Sequence, residues 1–392
     1  MLNGPFSPWP SFDAEEQDAV ARVLRSNRVN YWTGEECRAF EREFAAFADS
    51  GHAIATANGT LALDLALNAL GIGPGDEVIV TPRTFIASIS TVVNAGATPV
   101  FADVDRDSGN VSPATISAVL TERTRAILPV HLAGWPCDME GILALARPRG
   151  ITVIEDCSQA HGARIGGRSV GSLGDVGTWS FCQDKIMTTG GEGGMVTTSD
   201  PELWSRMWSF KDHGKSYDAV HHRVHPPGFR WLHESFGTNF RMMEMQAVLG
   251  RIQLARMPRW TQRRTEAAMA YGAALAAFPG AVRAPVPDPR FTHAYYRFYG
   301  YVRPEGLRAG WDRDRVVAEV VARGVPLYQG SCSEAYLERA FDGTGWRPAR
   351  PLPAAQELGR TSLMFLTHPT LTDDEIAKTC DVVRAVFEKA AA

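Results

Sequence analysis

Between about residues 50 and 200, short apolar runs alternate with stretches of helical periodicity. Residues 77–81 (Glu-Val-Ile-Val-Thr), 99–104, 125–130 and 151–156 read as strands, and 86–95, 113–120 and 138–146 read as the helices between them. Further strands are predicted at 177–182 and 195–198. Strands that are apolar on both faces, separated by helices of about ten residues, specify βαβ units and a parallel sheet covered on both sides. A long helical pattern at 244–254 leads to Arg256-Met257-Pro258, where the composition shifts. After it come new helices, a proline-rich stretch at 284–289 and a last helix over 373–390. The expected architecture is α/β with two domains. A three-layer large domain with a mixed, mostly parallel sheet and an N-terminal arm spans 1–257, and a smaller C-terminal α/β domain spans 258–392.

Composition narrows the function classes. Of 392 residues, 45% are hydrophobic and 21% charged, the balance of a globular chain and not of a disordered one. A net charge of −4 gives no electrostatic reason to expect nucleic acid or an anionic membrane as partner. No apolar run is long enough to span a bilayer, and the first residues lack the basic-then-apolar layout of a signal peptide. The six cysteines, at 37, 137, 157, 182, 332 and 380, form no CxxC pair and no zinc spacing, so reduced thiols and a cytoplasmic location are expected. Only five lysines occur, Lys185, Lys211, Lys215, Lys378 and Lys389, which leaves few candidates for an amine nucleophile.

Three segments could carry chemistry. Gly59-Thr60 opens an apolar helix, where free backbone amides, a hydroxyl and the positive dipole end suit a phosphate. Taken alone, ordinary capping is the commoner use of such a segment. Glu155-Asp156 ends an apolar strand, the place where open α/β sheets put ligands, although capping of the next turn is the alternative. Lys185 is the first lysine of the chain, lies in a largely uncharged stretch and is followed by Gly190-Gly191-Glu192-Gly193-Gly194. A phosphate cradle, a strand-end carboxylate and a solitary lysine are together the parts that pyridoxal 5′-phosphate requires. Phe85, just after a strand, could stack on its ring, though a buried aromatic is the commoner use.

With these parts in order, the chain resembles the DegT/DnrJ/StrS sugar aminotransferases of the fold-type I, aspartate aminotransferase-like class. The resemblance runs over nearly the whole chain. It is carried by Asn58-Gly59-Thr60, the run 73–79, Pro129-Val130-His131-Leu132-Ala133-Gly134, Glu155-Asp156, Ser180-Phe181 before Lys185, Gly191-Glu192-Gly193-Gly194, and Asn239-Phe240-Arg241-Met242 before Gln246-Ala247. It implies that Lys185 forms the Schiff base and shuttles the proton, and that Asp156 pairs with the pyridine nitrogen. It further implies that Gln159 bonds near the ring hydroxyl, that Gly59, Thr60 and Ser180 hold the phosphate, and that Phe85 stacks on the ring. Asn239 is expected to reach the cofactor of a neighbouring subunit, making a homodimer with shared active sites the working unit. The implied reaction is ping-pong, from an amino acid, L-glutamate first, to the keto group of a nucleotide-linked sugar. Some relatives carry His at the lysine position and act as dehydratases; Lys185 favours amino transfer.

Other readings are weaker. Gly71-Ile72-Gly73-Pro74-Gly75 follows a helix and precedes a strand, the wrong order for a dinucleotide turn. His221, His222, His225 and His233 lack nearby acidic or cysteine ligands, and Pro226-Pro227 disfavours a helix presenting two of them, so no metal is expected. Segment 211–237, in which His213-Gly214 resembles a family loop, is expected as a loop near a dimer's active site. A keto-cyclitol acceptor stays open, because Phe6-Ser7-Pro8-Trp9-Pro10 is similar to what cyclitol relatives carry. Gly330-Ser331-Cys332-Ser333-Glu334 also departs from the His-containing turn expected in the small domain. The opening segment and Asn30-Tyr31-Trp32-Thr33-Gly34 are expected at substrate or dimer contacts. A non-catalytic regulatory relative is the remaining alternative, against which the Lys185–Asp156 pair argues.

Overall fold

The computed structural model describes residues 5–392; the first four residues of the expected large domain lie outside it. Its centre is a seven-stranded sheet in the order His52–Thr56, Gly194–Thr198, Val176–Ser180, Thr152–Asp156, Thr124–Leu128, Glu77–Val80 and Thr98–Phe101. The five strands from Val176–Ser180 to Thr98–Phe101 pair in parallel, and Gly194–Thr198 runs against both its neighbours. Alternation along one strand shows why both faces are covered. Val78 and Val80 pack with the helices Gly59–Ala69 and Pro201–Lys211, whereas Ile79 packs with Met139–Ala146 on the other side. Phe40, Phe44, Trp179 and Met195 complete that second side with the helix Glu36–Phe47. The largely parallel sheet covered on both faces is the one the periodicity predicts, and the antiparallel Gly194–Thr198 makes it the mixed, three-layer sheet of the expected fold class.

The predicted helices are present at Ala87–Asn94, Pro113–Ser117, Met139–Ala146 and Asp373–Ala390. Two helices before the first strand, Ala14–Ser26 and Glu36–Phe47, turn much of the expected arm into packed structure. Asp13 and Glu16 form a reciprocal capping box on the first of them, the D-x-x-E signature of a helix start.

The helical pattern at 244–254 continues through Pro258 as one helix, Glu244–Leu275. Ala247, Leu254 and Met257 sit in the large-domain core, and Ala267, Ala268, Tyr271, Ala274 and Leu275 in a second core. The division expected near residue 258 therefore falls inside a helix that joins two cores. Packing on both sides holds the helix through the amide that proline removes. The second core lies under an antiparallel sheet ordered Val282–Arg283, Arg297–Val302, Ser362–Leu366 and Leu327–Tyr328, with the helices Arg313–Val321 and Asp373–Ala390. Among the described residues no helix is long and apolar enough to cross a membrane.

Candidate active site

A cavity of about 930 Å³ opens at the carboxyl ends of the parallel strands, between the large sheet and the antiparallel one. Gly59, Thr60, Phe85, Asp156, Gln159, Ser180 and Lys185 all line it. Asn239 does not; it is exposed, in a bridge with Asp212, and its side chain accepts from the Arg241 amide.

Each lining group has a local cause. The side chain of Asn58 caps the helix Gly59–Ala69 by accepting from the Leu61 amide at 3.0 Å. No hydrogen bond within the described residues takes the amides of Gly59 and Thr60, which leaves an anion-receptive helix start at the cavity edge. Backbones meet closely here. A Cβ on Gly59 would lie 2.6 Å from the Ser180 Cβ, and one on Gly194 would lie 2.3 Å from the Asn58 carbonyl oxygen, so only glycine fits at either position.

The adjacent carboxylates Glu155 and Asp156 separate by strand alternation. Glu155 is fully buried and turns away from the cavity, accepting from His131 Nε2 and from the amides of Gly171, Leu173 and Gly174. Burial pushes its carboxyl up, but His131 and the Gly174 and Gly171 amides outweigh burial and hold it below the usual range. The ligand atoms of His131, Glu155 and Cys157 lie within 4.8 Å of one another. The Cys137 amide donates to His131 Nδ1, so His131 Nε2 carries a proton toward Glu155, and the group is satisfied as a hydrogen-bonded clamp. Asp156 faces the cavity, 4% exposed, with Oδ2 accepting from Ser88 Oγ at 2.8 Å and Oδ1 from the Ser158 amide at 3.0 Å. Thr84 Oγ1 lies 2.9 Å from Ser88 Oγ and extends the support. Gln159 Oε1 accepts from the Ala133 amide at 2.8 Å, which aims its Nε2 away from that bond.

Lys185 is 17% exposed at its side chain, with Nζ 3.7 Å from Asp184 Oδ1 and 5.3 Å from the centre of the Tyr296 ring. Tyr296 donates to Asp184, and Arg297 approaches the same carboxylate at 3.7 Å while lying 4.1 Å over the Tyr296 ring. Burial raises the Asp184 carboxyl, but Lys185, Tyr296 and Arg297 together bring it below its ordinary value. His161, near Lys185, is fully buried among Phe44, Trp179 and Phe181 with neither ring nitrogen partnered. Burial, then the charges of Lys185 and Arg264, push it down to about 3, so it is neutral at working pH.

Sequence reasoning missed several of these groups. Ser88 sits inside a helix with no motif around it, and Asp184, Tyr296 and Arg297 meet only through tertiary packing. Trp9, in the segment expected at substrate or dimer contacts, donates from Nε1 to the Lys185 carbonyl at 2.8 Å, and its ring packs edge-on against Trp260. Tyr31 is likewise buried, and Trp32 Nε1 donates to Asp212 at 3.3 Å. Phe85 stands 69% exposed on the cavity rim. The histidines of the 211–237 segment are spread out. His221 packs on Trp208 and Tyr217, His225 donates to the Ala219 carbonyl, and His233 donates to the His213 carbonyl.

A free helix start, a buttressed strand-end carboxylate and a half-buried lysine around one cavity define a pyridoxal phosphate transferase of the α/β class, and the residues present fit that group. The chain belongs to the DegT/DnrJ/EryC1/StrS aminotransferase family, whose sequence profile matches residues 10–384. Its fold is similar to the aminotransferase from Psychrobacter cryohalolentis, with 63% identity and a TM-score of 0.97 over 98% of this chain and 99% of that one. It is 38% identical to the dTDP-3-amino-3,4,6-trideoxy-alpha-D-glucose transaminase of Streptomyces venezuelae, over 96% of this chain and 93% of the relative. It is 37% identical to the UDP-N-acetyl-3-dehydro-alpha-D-glucosamine 3-aminotransferase of Acidithiobacillus ferrooxidans, over 93% and 92%. The protein is an aminotransferase, and its cofactor is pyridoxal 5′-phosphate.

Proposed function

We propose that this aminotransferase takes an amino group from an amino acid, L-glutamate first, and delivers it to the keto group of a nucleotide-linked sugar in ping-pong order. The observation that carries this reading is the placement of Lys185 and Asp156 on one cavity whose far edge is the free helix start at Gly59-Thr60. The names of the curated relatives supply the acceptor class, and the cavity extends past these groups to the small-domain residues Gly330, Ser331, Cys332 and Met364.

Each side chain has a task in this reading. The Gly59 and Thr60 amides with Ser180 Oγ bind the phosphate. Asp156, fixed by Ser88 and the Ser158 amide, holds a proton on the ring nitrogen by charge and hydrogen bonding. Gln159 orients the ring edge, and Phe85 covers its face. Lys185 anchors the cofactor through Nζ and then, as a free amine, carries the proton away from and back to the substrate carbon. Pyridoxal phosphate, when bound, supplies the electron sink for the carbanion.

The working unit in this reading is a homodimer. Asn239 does not line its own chain's cavity, and the segment before it exposes Val224 (98%), Phe229 (77%), Trp231 (83%) and Phe236 (100%), a load of bare apolar surface that a second copy would cover. Six free cysteines accord with the cytoplasm as its compartment.

The test is a two-stage half-reaction. L-glutamate added to the loaded protein should change the visible absorbance of the bound cofactor. After removal of glutamate, a keto sugar from a panel of dTDP-, UDP- and GDP-linked 3-keto and 4-keto hexoses should restore it. Restoration by keto-cyclitols alone would overturn the acceptor assignment, and no response to any amino acid would overturn the reaction.

A further inference from the structure

The small-domain wall of the cavity is pinned by a buried cation that no carboxylate among the described residues neutralises. Arg83 follows the strand Glu77–Val80, is fully buried, and has no acidic partner within ion-pair distance among the described residues. Its Nη1 donates to Ser333 Oγ at 2.7 Å and its Nη2 to Ser362 Oγ at 2.8 Å, while Nε has no partner. The guanidinium lies 5.2 Å from the Tyr299 ring centre and 5.9 Å from that of Tyr301. The Ala335 amide adds a backbone tie, donating to the Pro82 carbonyl at 2.9 Å. A buried charge held by two hydroxyls and two ring faces is a costly way to join two layers where apolar contact would serve.

The residues it holds are cavity residues. Ser331 donates its amide to the Tyr299 hydroxyl at 3.0 Å, and the Ser331 and Tyr299 hydroxyls lie 3.3 Å apart. Gly330, at φ +96°, passes so near that a Cβ would lie 2.5 Å from the Tyr299 ring. Arg83, Tyr299 and the turn 330–334 thus form one braced unit, from which Gly330, Ser331 and Cys332 line the cavity together with Thr84 and Phe85. Toward the cavity the turn offers the Ser331 hydroxyl and the Cys332 thiol, while the charged groups Lys185, Arg297 and Glu338 also line the cavity. A hydroxyl and a thiol on a rigid turn suit the hydroxyl groups of a polyhydroxylated ring.

We propose that Arg83 is a positioning residue for the acceptor: it sets the turn 330–334 as the surface against which the sugar ring is read, with Ser331 and Cys332 as the reading groups. This rests on the aminotransfer reading above.

The test separates the two half-reactions in the holoenzyme of Arg83→Met, and of Ser333→Ala as a milder variant that removes one hydrogen bond and keeps the cation. The probes are L-glutamate, followed through the bound cofactor's absorbance, and whichever member of the keto-sugar panel the wild type accepts. Arg83→Met should raise the acceptor KM about tenfold or more, and Ser333→Ala about threefold, with the glutamate half-reaction within about twofold of wild type in both. Parallel loss in both half-reactions, or an unchanged acceptor KM, overturns the proposal; if Arg83→Met does not fold, Ser333→Ala decides by the same criterion. A wild type that responds to glutamate but accepts no keto sugar overturns the function reading itself, and this inference with it.

Discussion

Asp156 ends the strand Thr152–Asp156 and Lys185 sits in the turn after the neighbouring parallel strand Val176–Ser180, whereas Ser331 and Cys332 enter the cavity from a turn tied to Arg83, 250 positions before Ser333. The chemical floor is built from strand ends and a helix start, features whose geometry is set within a few residues. The outer wall is built from pairings across the chain, Arg83 with Ser333 and Ser362, and Tyr299 with Ser331. A fold can therefore keep its reaction and change its acceptor by altering the wall alone. Damage to the floor should stop both half-reactions, and damage to the wall should spare the first.

The sharpest way to break this contrast is Asp156→Asn. It removes the charge that holds the ring proton and should lower both half-reactions by about 10²- to 10⁴-fold with little change in unfolding temperature. Ser88→Ala, which deletes the hydrogen bond to Asp156 Oδ2, should act in the same direction by about tenfold. A near-normal rate in Asp156→Asn, measured by stopped-flow absorbance with L-glutamate, would show that the floor is not what carries the reaction.

Glu155→Gln probes the residue next door with the opposite expectation. An amide cannot accept all the donors that converge on Glu155, namely His131 and three backbone amides, so stability should fall by about 3–5 kcal/mol in urea unfolding. Because the Glu155 carboxyl is held below its ordinary value, the stability it contributes is present above about pH 4.5 and lost as pH falls through its folded-state value. The glutamate half-reaction of the folded variant should stay within about threefold of wild type. A rate loss as large as that of Asp156→Asn, at unchanged stability, would contradict the division of labour between the two carboxylates.

The floor was legible because its signals are local. An apolar run ending in Glu155-Asp156, a Gly-Thr step opening a helix and a solitary lysine before glycines each announce a place in an α/β sheet. Ser88 was not legible, since a serine inside a helix carries no mark of the carboxylate it meets 68 positions later. The helix Glu244–Leu275 exceeded its expectation because proline's local cost is outweighed by two cores that only the folded chain brings to it. The small sheet was hidden for a related reason. Two of its four strands, Val282–Arg283 and Leu327–Tyr328, are two residues long and show no periodicity of their own. The turn 330–334 stood out in the sequence only as a departure, and its support by Arg83 became visible in space.

The central claim is that Lys185 is the amine that joins the cofactor. Reduction of the holoenzyme with borohydride, followed by peptide mapping, tests it directly. The account predicts a pyridoxyl phosphate adduct on Lys185, absent in Lys185→Ala. An adduct on Lys211, Lys215, Lys378 or Lys389, or an unlabelled Lys185 in protein that has bound the cofactor, would contradict it.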